Sequence, residues 1–324
     1  MVKAVVINQV GGPEVLEIAD VPVGKPGPGQ LRIRHKAIEV NYVDVYHRTG
    51  AYPLNTNPKI PGVSAVGEVL EVASDIKNFS PGERVAYATA PSGAYCAERN
   101  ISANLVFTVK PEIEDKTAAA ILVKGMTGHY LATRVFVTAP GKAVLIHAAA
   151  GGVGQALTQF CRSRGAYIIG TVGSDAKKKI ATDAGCHEVI NYTTEDWVAK
   201  VKELTAGHGV NAVYDSVGKN TFKGSIDCLT NIGIMVLYGA SSGPVTSIDT
   251  NVLAAKSLFF TRPSLFHYKK NRMELILSAE DLWQHVVDGI VIPKIFAEFP
   301  LEKAADAHKL LESRQATGSI LLIP

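Results

Sequence analysis

The residues most equipped for chemistry lie in one run, Ala143-Val144-Leu145-Ile146-His147-Ala148-Ala149-Ala150-Gly151-Gly152-Val153-Gly154-Gln155. An apolar strand passes into a turn of small residues and then into a helical pattern. Small residues let a pyrophosphate approach the backbone closely, and the N–H groups and dipole at the helix start hold the anion. The spacing is AxxGxxG over Ala148, Gly151 and Gly154, with alanine where the dinucleotide fingerprint GxGxxG has its first glycine. Gly154 lets the helix pack tightly on the strand. Such a turn alone is also an ordinary strand-to-helix connection. The strand before it, the helix after it and a second strand beyond point to a bound dinucleotide.

The end of that second strand discriminates between cofactors. An acid there, about 20 residues on, bonds the ribose hydroxyls of NADH. Here Tyr167-Ile168-Ile169-Gly170-Thr171-Val172-Gly173-Ser174 carries none, and Lys177, Lys178 and Lys179 follow. A carboxylate repels a 2′-phosphate, whereas the small turn at Gly173 and Ser174 with Lys177 beyond it admits one. Asp175 comes after the turn, where it caps or begins the next helix. Lys177 is expected one turn into that helix. The reading is NADPH.

These residues need a frame. The first third, to about Lys110, is rich in Gly and Pro and in short β-type runs such as Leu31-Arg32-Ile33-Arg34 and Arg84-Val85-Ala86-Tyr87. Turn signals such as Lys25-Pro26-Gly27-Pro28-Gly29 separate them, which argues for a compact β-rich domain. Beyond Thr117, apolar strands expected at 143–147, 166–172, 187–190, 212–215, 234–238 and 258–261 alternate with helical patterns at 155–164, 175–184, 194–205 and 222–229. That alternation predicts an α/β fold with a doubly wound parallel sheet. Longer helical patterns at 272–288 and 302–312 precede a last apolar strand, 320–323, expected to return to the first domain.

The 324 residues suggest about two domains, and 47% hydrophobic residues suffice for a large core. A net charge of +3 gives no reason to expect a nucleic-acid or membrane partner. No run approaches the ~18 apolar residues of a membrane span, and the N-terminal run reads as a strand, so the expected location is the cytoplasm. Cys96, Cys161, Cys186 and Cys228 are widely spaced, with no CxxC pair, and read as buried thiols.

Several landmarks together resemble a known family. They are Gly11-Gly12-Pro13-Glu14-Val15-Leu16, Asn41-Tyr42-Val43-Asp44, Pro61-Gly62-Val63-Ser64-Ala65-Val66-Gly67-Glu68-Val69, Pro81-Gly82-Glu83-Arg84-Val85, the turn Ala148 to Gly154, Tyr214-Asp215-Ser216-Val217-Gly218 and Thr261-Arg262-Pro263-Ser264-Leu265. Over essentially its whole length the chain resembles the quinone oxidoreductases of the zeta-crystallin type, zinc-independent medium-chain dehydrogenases/reductases. The resemblance implies a β-rich GroES-like catalytic domain split between residues 1–123 and 266–324, a Rossmann domain at 124–265, and a cleft between them. It implies Asn41, Tyr46 and Thr127 beside the nicotinamide, and Gly151, Gly152 and Val153 at the pyrophosphate. Gly173, Ser174, Lys177 and Tyr192 would hold the 2′-phosphate end, with Arg314 as a further contact. Ser216, Val217, Tyr238, Gly239, Ser241, Ser264 and Leu265 would line the ribose and nicotinamide path. A homodimer through the sheet edge at 258–262 is also implied. Glu83 replaces a more usual Asp, and Ser64 stands where relatives often have a small or acidic residue.

Zinc alcohol dehydrogenases share this scaffold and hold the metal with an early Cys, a Gly-His-Glu segment and a later Cys. Here those positions read Asn41 and Gly62-Val63-Ser64, no four-cysteine lobe exists, and His35, His47 and Cys96 are scattered, so no metal is expected. Without a Lewis acid, alcohol oxidation lacks an activator. A quinone needs less help, because its product is aromatic and its oxyanion already stabilised. Positioning against the nicotinamide then does most of the work. Asn41 is the expected donor to the developing oxyanion. Tyr46 or Tyr52 would give a proton or form an aromatic wall, or simply pack, and Asp44 reads as structural. The alternatives are an NADPH-dependent reductase of α,β-unsaturated ketones, aldehydes or enoyl thioesters, and a non-catalytic NADPH-binding crystallin-like or RNA-binding protein. The clusters Lys177–Lys179 and Lys269-Lys270 with Arg272 are too sparse to favour RNA.

Overall fold

A computed structural model describes residues 1–88 and 91–324. The chain divides into two compact units: Met1–Met126 with Lys269–Pro324, and Thr127–Tyr268.

The first unit is built on a seven-stranded sheet. Its strands run in the order Ile295–Pro300, Ser319–Ile323, Gln30–Val40, Ser64–Val72, Arg84–Ala88 and Phe107–Thr108, while Glu98–Ser102 pairs the early part of Gln30–Val40. A separate antiparallel pair joins Val2–Ile7 to Leu16–Val21. The C-terminal strand returns here, with Ile320 opposite Val40 and Leu322 opposite Ile38. Strand Gln30–Val40 runs six residues past the expected 31–34. Leu31, Ile33, His35 and Ala37 alternate inward, and from Ile38 to Val40 every residue is buried. The core of this unit gathers Leu31, Ile33, Val69, Tyr87, Tyr95, Ile320 and Leu322.

Helix Tyr42–Thr49 is not foreshadowed by the strand-and-turn reading of the first third. Local chemistry explains it. Asn41 is extended at the N-cap, and the Asp44 carboxylate accepts the Asn41 backbone N–H at 2.8 Å. Gly50 closes the helix at φ 80°, where a side chain would be strained.

The second unit is a six-stranded, all-parallel sheet. Its order is Glu188–Asn191, Tyr167–Val172, Ala143–Ile146, Val210–Asp215, Leu229–Leu237 and Phe259–Thr261. Numbered within the unit this is 3-2-1-4-5-6, the doubly wound arrangement, whose winding reverses between Ala143–Ile146 and Val210–Asp215. Each strand falls within a few residues of its expected position. The helical pattern at 175–184 resolves into a 3-10 turn, Asp175–Lys177, and a short α-helix, Lys178–Asp183. Among the described residues no helix is long and apolar enough to cross a membrane. The four cysteines are free and buried.

Candidate functional site

In the second unit the candidate residues collect along one rim. Gly151 to Val153 follow strand Ala143–Ile146, and Gly173 and Ser174 follow Tyr167–Val172. Tyr192 follows Glu188–Asn191, and Ser216 and Val217 follow Val210–Asp215. Tyr238, Gly239 and Ser241 follow Leu229–Leu237, and Ser264 and Leu265 follow Phe259–Thr261. Six strands run the same way, so all these residues stand at the carboxyl ends, where open α/β sheets bind ligands. Thr127 is buried in helix Leu122–Tyr130, beside Gly128, whose Cβ would stand 2.9 Å from the Leu157 backbone nitrogen.

The glycine-rich turn is tight. Ala148, at the position of the fingerprint's first glycine, has φ 52°, a left-handed conformation that alanine adopts at some cost. A Cβ on Gly154 would lie 2.3 Å from the Ala148 carbonyl oxygen. Helix Gly152–Ser163 starts from Gly151 with no side chain capping it, so its first amides are presented without a competing acceptor.

The neighbouring loops are held from below. Buried Asp215 accepts from the Val217 and Gly218 N–H groups at 2.8 and 2.9 Å, and from the Thr221 and Ser225 hydroxyls at 2.7 and 3.1 Å. His147 spans Ser225 at 3.0 Å and Thr171 at 2.8 Å, and burial lowers its pKa. Tyr238 and Ser241 are tied back, their amides bonding the Asp215 and Ser216 carbonyls, and Gly239 lies so close to Ser216 that a Cβ would meet its oxygen at 2.7 Å. Tyr192 packs on Gly173, where a Cβ would meet the hydroxyl at 2.9 Å.

Lys177 is not one turn into an α-helix, as the sequence suggested. It ends the 3-10 turn, immediately before Lys178–Asp183 begins. Lys178 pairs with Glu195 at 2.8 Å and Lys179 with Asp183 at 2.9 Å. Asp175 opens the 3-10 turn and accepts from Asn191 at 3.1 Å.

The first unit brings Asn41, Tyr46 and Tyr52 together around helix Tyr42–Thr49. The rings of Tyr46 and Tyr52 meet edge to face at 5.1 Å, and those of Tyr42 and Tyr46 lie 6.4 Å apart. Tyr52 is exposed and its N–H bonds the Tyr46 carbonyl at 3.0 Å. Arg314 is elsewhere in this unit, just past helix Ala304–Glu312 at φ 59°, where its charge and a hydrogen bond act on Tyr42.

Asn41 sits in a polar network that sequence reading did not find. Glu39, wholly buried, accepts from the Lys124 ammonium at 2.8 Å, the Val123 N–H at 2.8 Å and the Ser64 hydroxyl at 3.1 Å. Asn41 Nδ2 points to the Glu39 carboxylate, the Glu39 carbonyl and Ser64, each at 3.3 Å, and Asn41 Oδ1 takes Lys124 at 3.3 Å. The amide hydrogens expected to meet an oxyanion are therefore engaged, but by long bonds. Sequence signals for this network exist. Glu39 interrupts the apolar run Ala37-Ile38-Glu39-Val40, and Lys124 interrupts Ala118-Ala119-Ala120-Ile121-Leu122-Val123-Lys124-Gly125-Met126. Lone opposite charges in two buried runs must find each other.

Asp44 ends a second buried chain. Arg48 donates to His308 Nδ1 at 3.3 Å, which leaves His308 Nε2 to donate to the Tyr95 hydroxyl at 3.0 Å, and Tyr95 donates to Asp44 at 3.1 Å. Burial and then the Arg48 charge hold the His308 pKa down to about 3, keeping the ring neutral. Every donor points toward Asp44, and the chain starts from a guanidinium, which does not release protons. It therefore orients the carboxyl rather than feeding it. The structural reading of Asp44 agrees with this arrangement. His35 is likewise committed, to the Cys96 carbonyl at 2.7 Å and the Tyr87 hydroxyl at 2.9 Å.

The family model described as alcohol dehydrogenase GroES-like domain matches residues 27–139, and that described as zinc-binding dehydrogenase matches 152–277. The chain is 40% identical to quinone oxidoreductase 1 of Escherichia coli, with all of both chains covered. The chain belongs to the quinone oxidoreductase family, among the medium-chain dehydrogenases/reductases. Within this family it is also 42% identical to a 2-haloacrylate reductase of a Burkholderia species, covering 100% of this chain and 99% of that one. The crystal structure of the Escherichia coli quinone oxidoreductase complexed with NADPH superposes with a TM-score of 0.97 at 40% identity, covering 99% and 100% of the two chains. Despite the zinc-binding label of one family model, residue 41 is Asn and residue 64 is Ser, and both are engaged by Glu39.

Proposed function

We propose that this protein reduces quinones with NADPH, without a metal. The carrying observation is the rim of the doubly wound sheet, where an uncapped glycine-rich helix start adjoins a second strand that ends in Gly173-Ser174 rather than an acid. The full-length likeness to an NADPH-bound quinone oxidoreductase supports the same reading.

The turn fits a dinucleotide: Gly154 lets the helix start pack against the Ala148 backbone, and the N-cap, Gly151, brings no side-chain acceptor to the helix amides. Gly151, Gly152 and Val153 hold the pyrophosphate in this reading. Gly173, Ser174, Lys177 and Tyr192 hold the 2′-phosphate, with Arg314 as a further contact. Ser216, Val217, Tyr238, Gly239, Ser241, Ser264 and Leu265 line the ribose and nicotinamide path, and Thr127, Asn41 and Tyr46 bound the nicotinamide. When bound, NADPH supplies the hydride. The chain's part is to position the acceptor, to stabilise the oxygen that gains charge, and to pass it one proton. Asn41 serves the oxygen by exchanging one of its 3.3 Å contacts for the oxyanion. In this reading Tyr46 and Tyr52 form the aromatic wall, and one of their phenols gives the proton.

A second reading is favoured by the 2-haloacrylate reductase relative. Hydride addition to a conjugated alkene is close chemistry, and the enone or haloacrylate would take the quinone's place. NADPH oxidation measured against a quinone panel and an enone and 2-haloacrylate panel decides. Higher kcat/KM with quinones is expected, and turnover confined to the conjugated alkenes would reverse the assignment. We further infer a homodimer through the open edge at Phe259–Thr261, where Phe259 is 61% exposed, and a cytoplasmic location, which four free thiols suit.

A further inference from the structure

We propose that Glu39 and Lys124 are positioning residues for the reaction: this buried ion pair sets the direction of the Asn41 amide. The inference rests on the reading of Asn41 as the group that meets the reduced oxygen.

The geometry assigns each partner a part. Glu39 has no exposed surface and its pair with Lys124 is 2.8 Å. Its two shortest bonds, from Lys124 and the Val123 N–H, fix the carboxylate to helix Leu122–Tyr130. With the carboxylate fixed, Asn41 has one good orientation. Oδ1 faces the ammonium at 3.3 Å, and Nδ2 faces the carboxylate and Ser64 at 3.3 Å. Turning the amide over would set NH2 against NH3⁺ and oxygen against carboxylate.

The bond lengths carry the second step. Glu39 is held by short bonds, while Asn41 is held by long ones. The ammonium and the Val123 and Ser64 donors satisfy most of the carboxylate. Its hold on Nδ2 is correspondingly weak, so an N–H can exchange to an incoming oxyanion while Lys124 keeps Oδ1 in place. Lone charges are rarely retained in an apolar interior without a partner, and apolar residues would pack these two positions at no electrostatic cost. Stability therefore does not by itself account for the pair.

The test uses the double variant Glu39→Gln/Lys124→Met, which removes both charges and leaves neither buried alone. Thermal melting, NADPH affinity by fluorescence titration, single-turnover quinone reduction and the Asn41 side-chain amide signals, assigned with Asn41→Asp, are measured on it and on the parent. The double variant is expected to melt near the parent and to bind NADPH within threefold. Its hydride-transfer rate should fall at least tenfold, and its Asn41 amide signals should shift and exchange faster with solvent. A parent-like rate with unmoved Asn41 signals overturns the proposal and makes the pair scaffold alone. If the parent reduces neither quinones nor conjugated alkenes, the functional reading falls. The amide signals then decide the positioning claim, and unmoved signals in the double variant overturn it. Should the double variant fail to fold, Glu39→Gln alone carries the test, because its carboxamide still accepts from Val123 and Ser64 but no longer fixes the ammonium. The same loss of rate and movement of signals are expected, and a parent-like result overturns the proposal.

Discussion

Asp44 shows how one buried carboxyl makes stability depend on pH. Burial pushes its pKa up to about 7 against the hydrogen bonds from the Asn41 N–H and Tyr95, with the Glu39 charge adding a little to the rise and the Lys124 charge opposing it. In the unfolded chain such a group titrates near 4. Below that pH it is protonated in both states and favours neither. Between pH about 4 and about 7 only the unfolded chain ionises, so stability falls by on the order of 4 kcal/mol and then levels. Asp44→Asn keeps an acceptor for both donors but removes the ionisation. Its melting temperature should therefore gain on the parent's as pH rises through this window. Parallel melting curves across pH 4 to 8 would refute the assignment. Lys177 gives a second residue-scale expectation. If it meets the 2′-phosphate, Lys177→Ala should weaken NADPH by about tenfold to a hundredfold, the equivalent of ~1.5–3 kcal/mol for a charge-assisted bond, and leave NADH unchanged. Equal losses for the two cofactors, measured by fluorescence titration, would remove Lys177 from the phosphate site.

At the scale of elements, the strand–turn–helix from Ala143 to Ser163 depends on one missing side chain. Gly154→Ala would drive a Cβ to 2.3 Å from the Ala148 oxygen and 2.8 Å from the Ala149 Cα. Backbone cannot yield as a flexible side chain does, so the helix must move off the strand. Overpacking of this kind costs roughly 1–3 kcal/mol, and here it also displaces the amides at the helix start. A lower melting temperature and NADPH binding weakened at least tenfold are expected. Gly24→Ala, with nothing within 4 Å of the added methyl, is the control and should change neither. Wild-type NADPH affinity in Gly154→Ala would show that the turn is not the pyrophosphate site. In the first unit, helix Tyr42–Thr49 is pinned by Arg48. That residue is 1% exposed and bonds Glu312 twice at 2.8 Å and the Gly11 carbonyl at 3.1 Å. The C-terminal helix thereby braces the helix that carries Asn41 at its cap.

At the scale of the whole molecule, the open edge of the six-stranded sheet is the feature that calls for a partner. Among the described residues strand Phe259–Thr261 pairs on one side only, and Phe259 is exposed. An unprotected apolar edge is a template for another strand. Sedimentation of the parent should give a dimer, and Phe259→Glu should shift it toward monomer while leaving the melting of the sheet little changed. A parent that sediments as a monomer at micromolar concentration would remove this edge as an interface.

The sequence by itself determined the alternation of strands and helices, the glycine-rich turn, the missing acid after Val172 and the family. Each of these is local: periodicity, turn chemistry and short-range spacing are written in consecutive residues. Helix Tyr42–Thr49 was equally local, with Asn41, Asp44 and Gly50 as its signals, yet the strand-rich surroundings hid it. Lys177 was misplaced because a 3-10 turn and the first turn of an α-helix look alike in sequence. Only the tertiary structure decided what Asn41 touches. Glu39 lies two residues before it, but Ser64 and Lys124 arrive from 23 and 83 residues away, and the chain from Arg48 to Asp44 runs through His308 and Tyr95. The direction of a side-chain amide depends on which charges surround it. Those charges come from strands and helices distant in sequence, and packing alone brings them together.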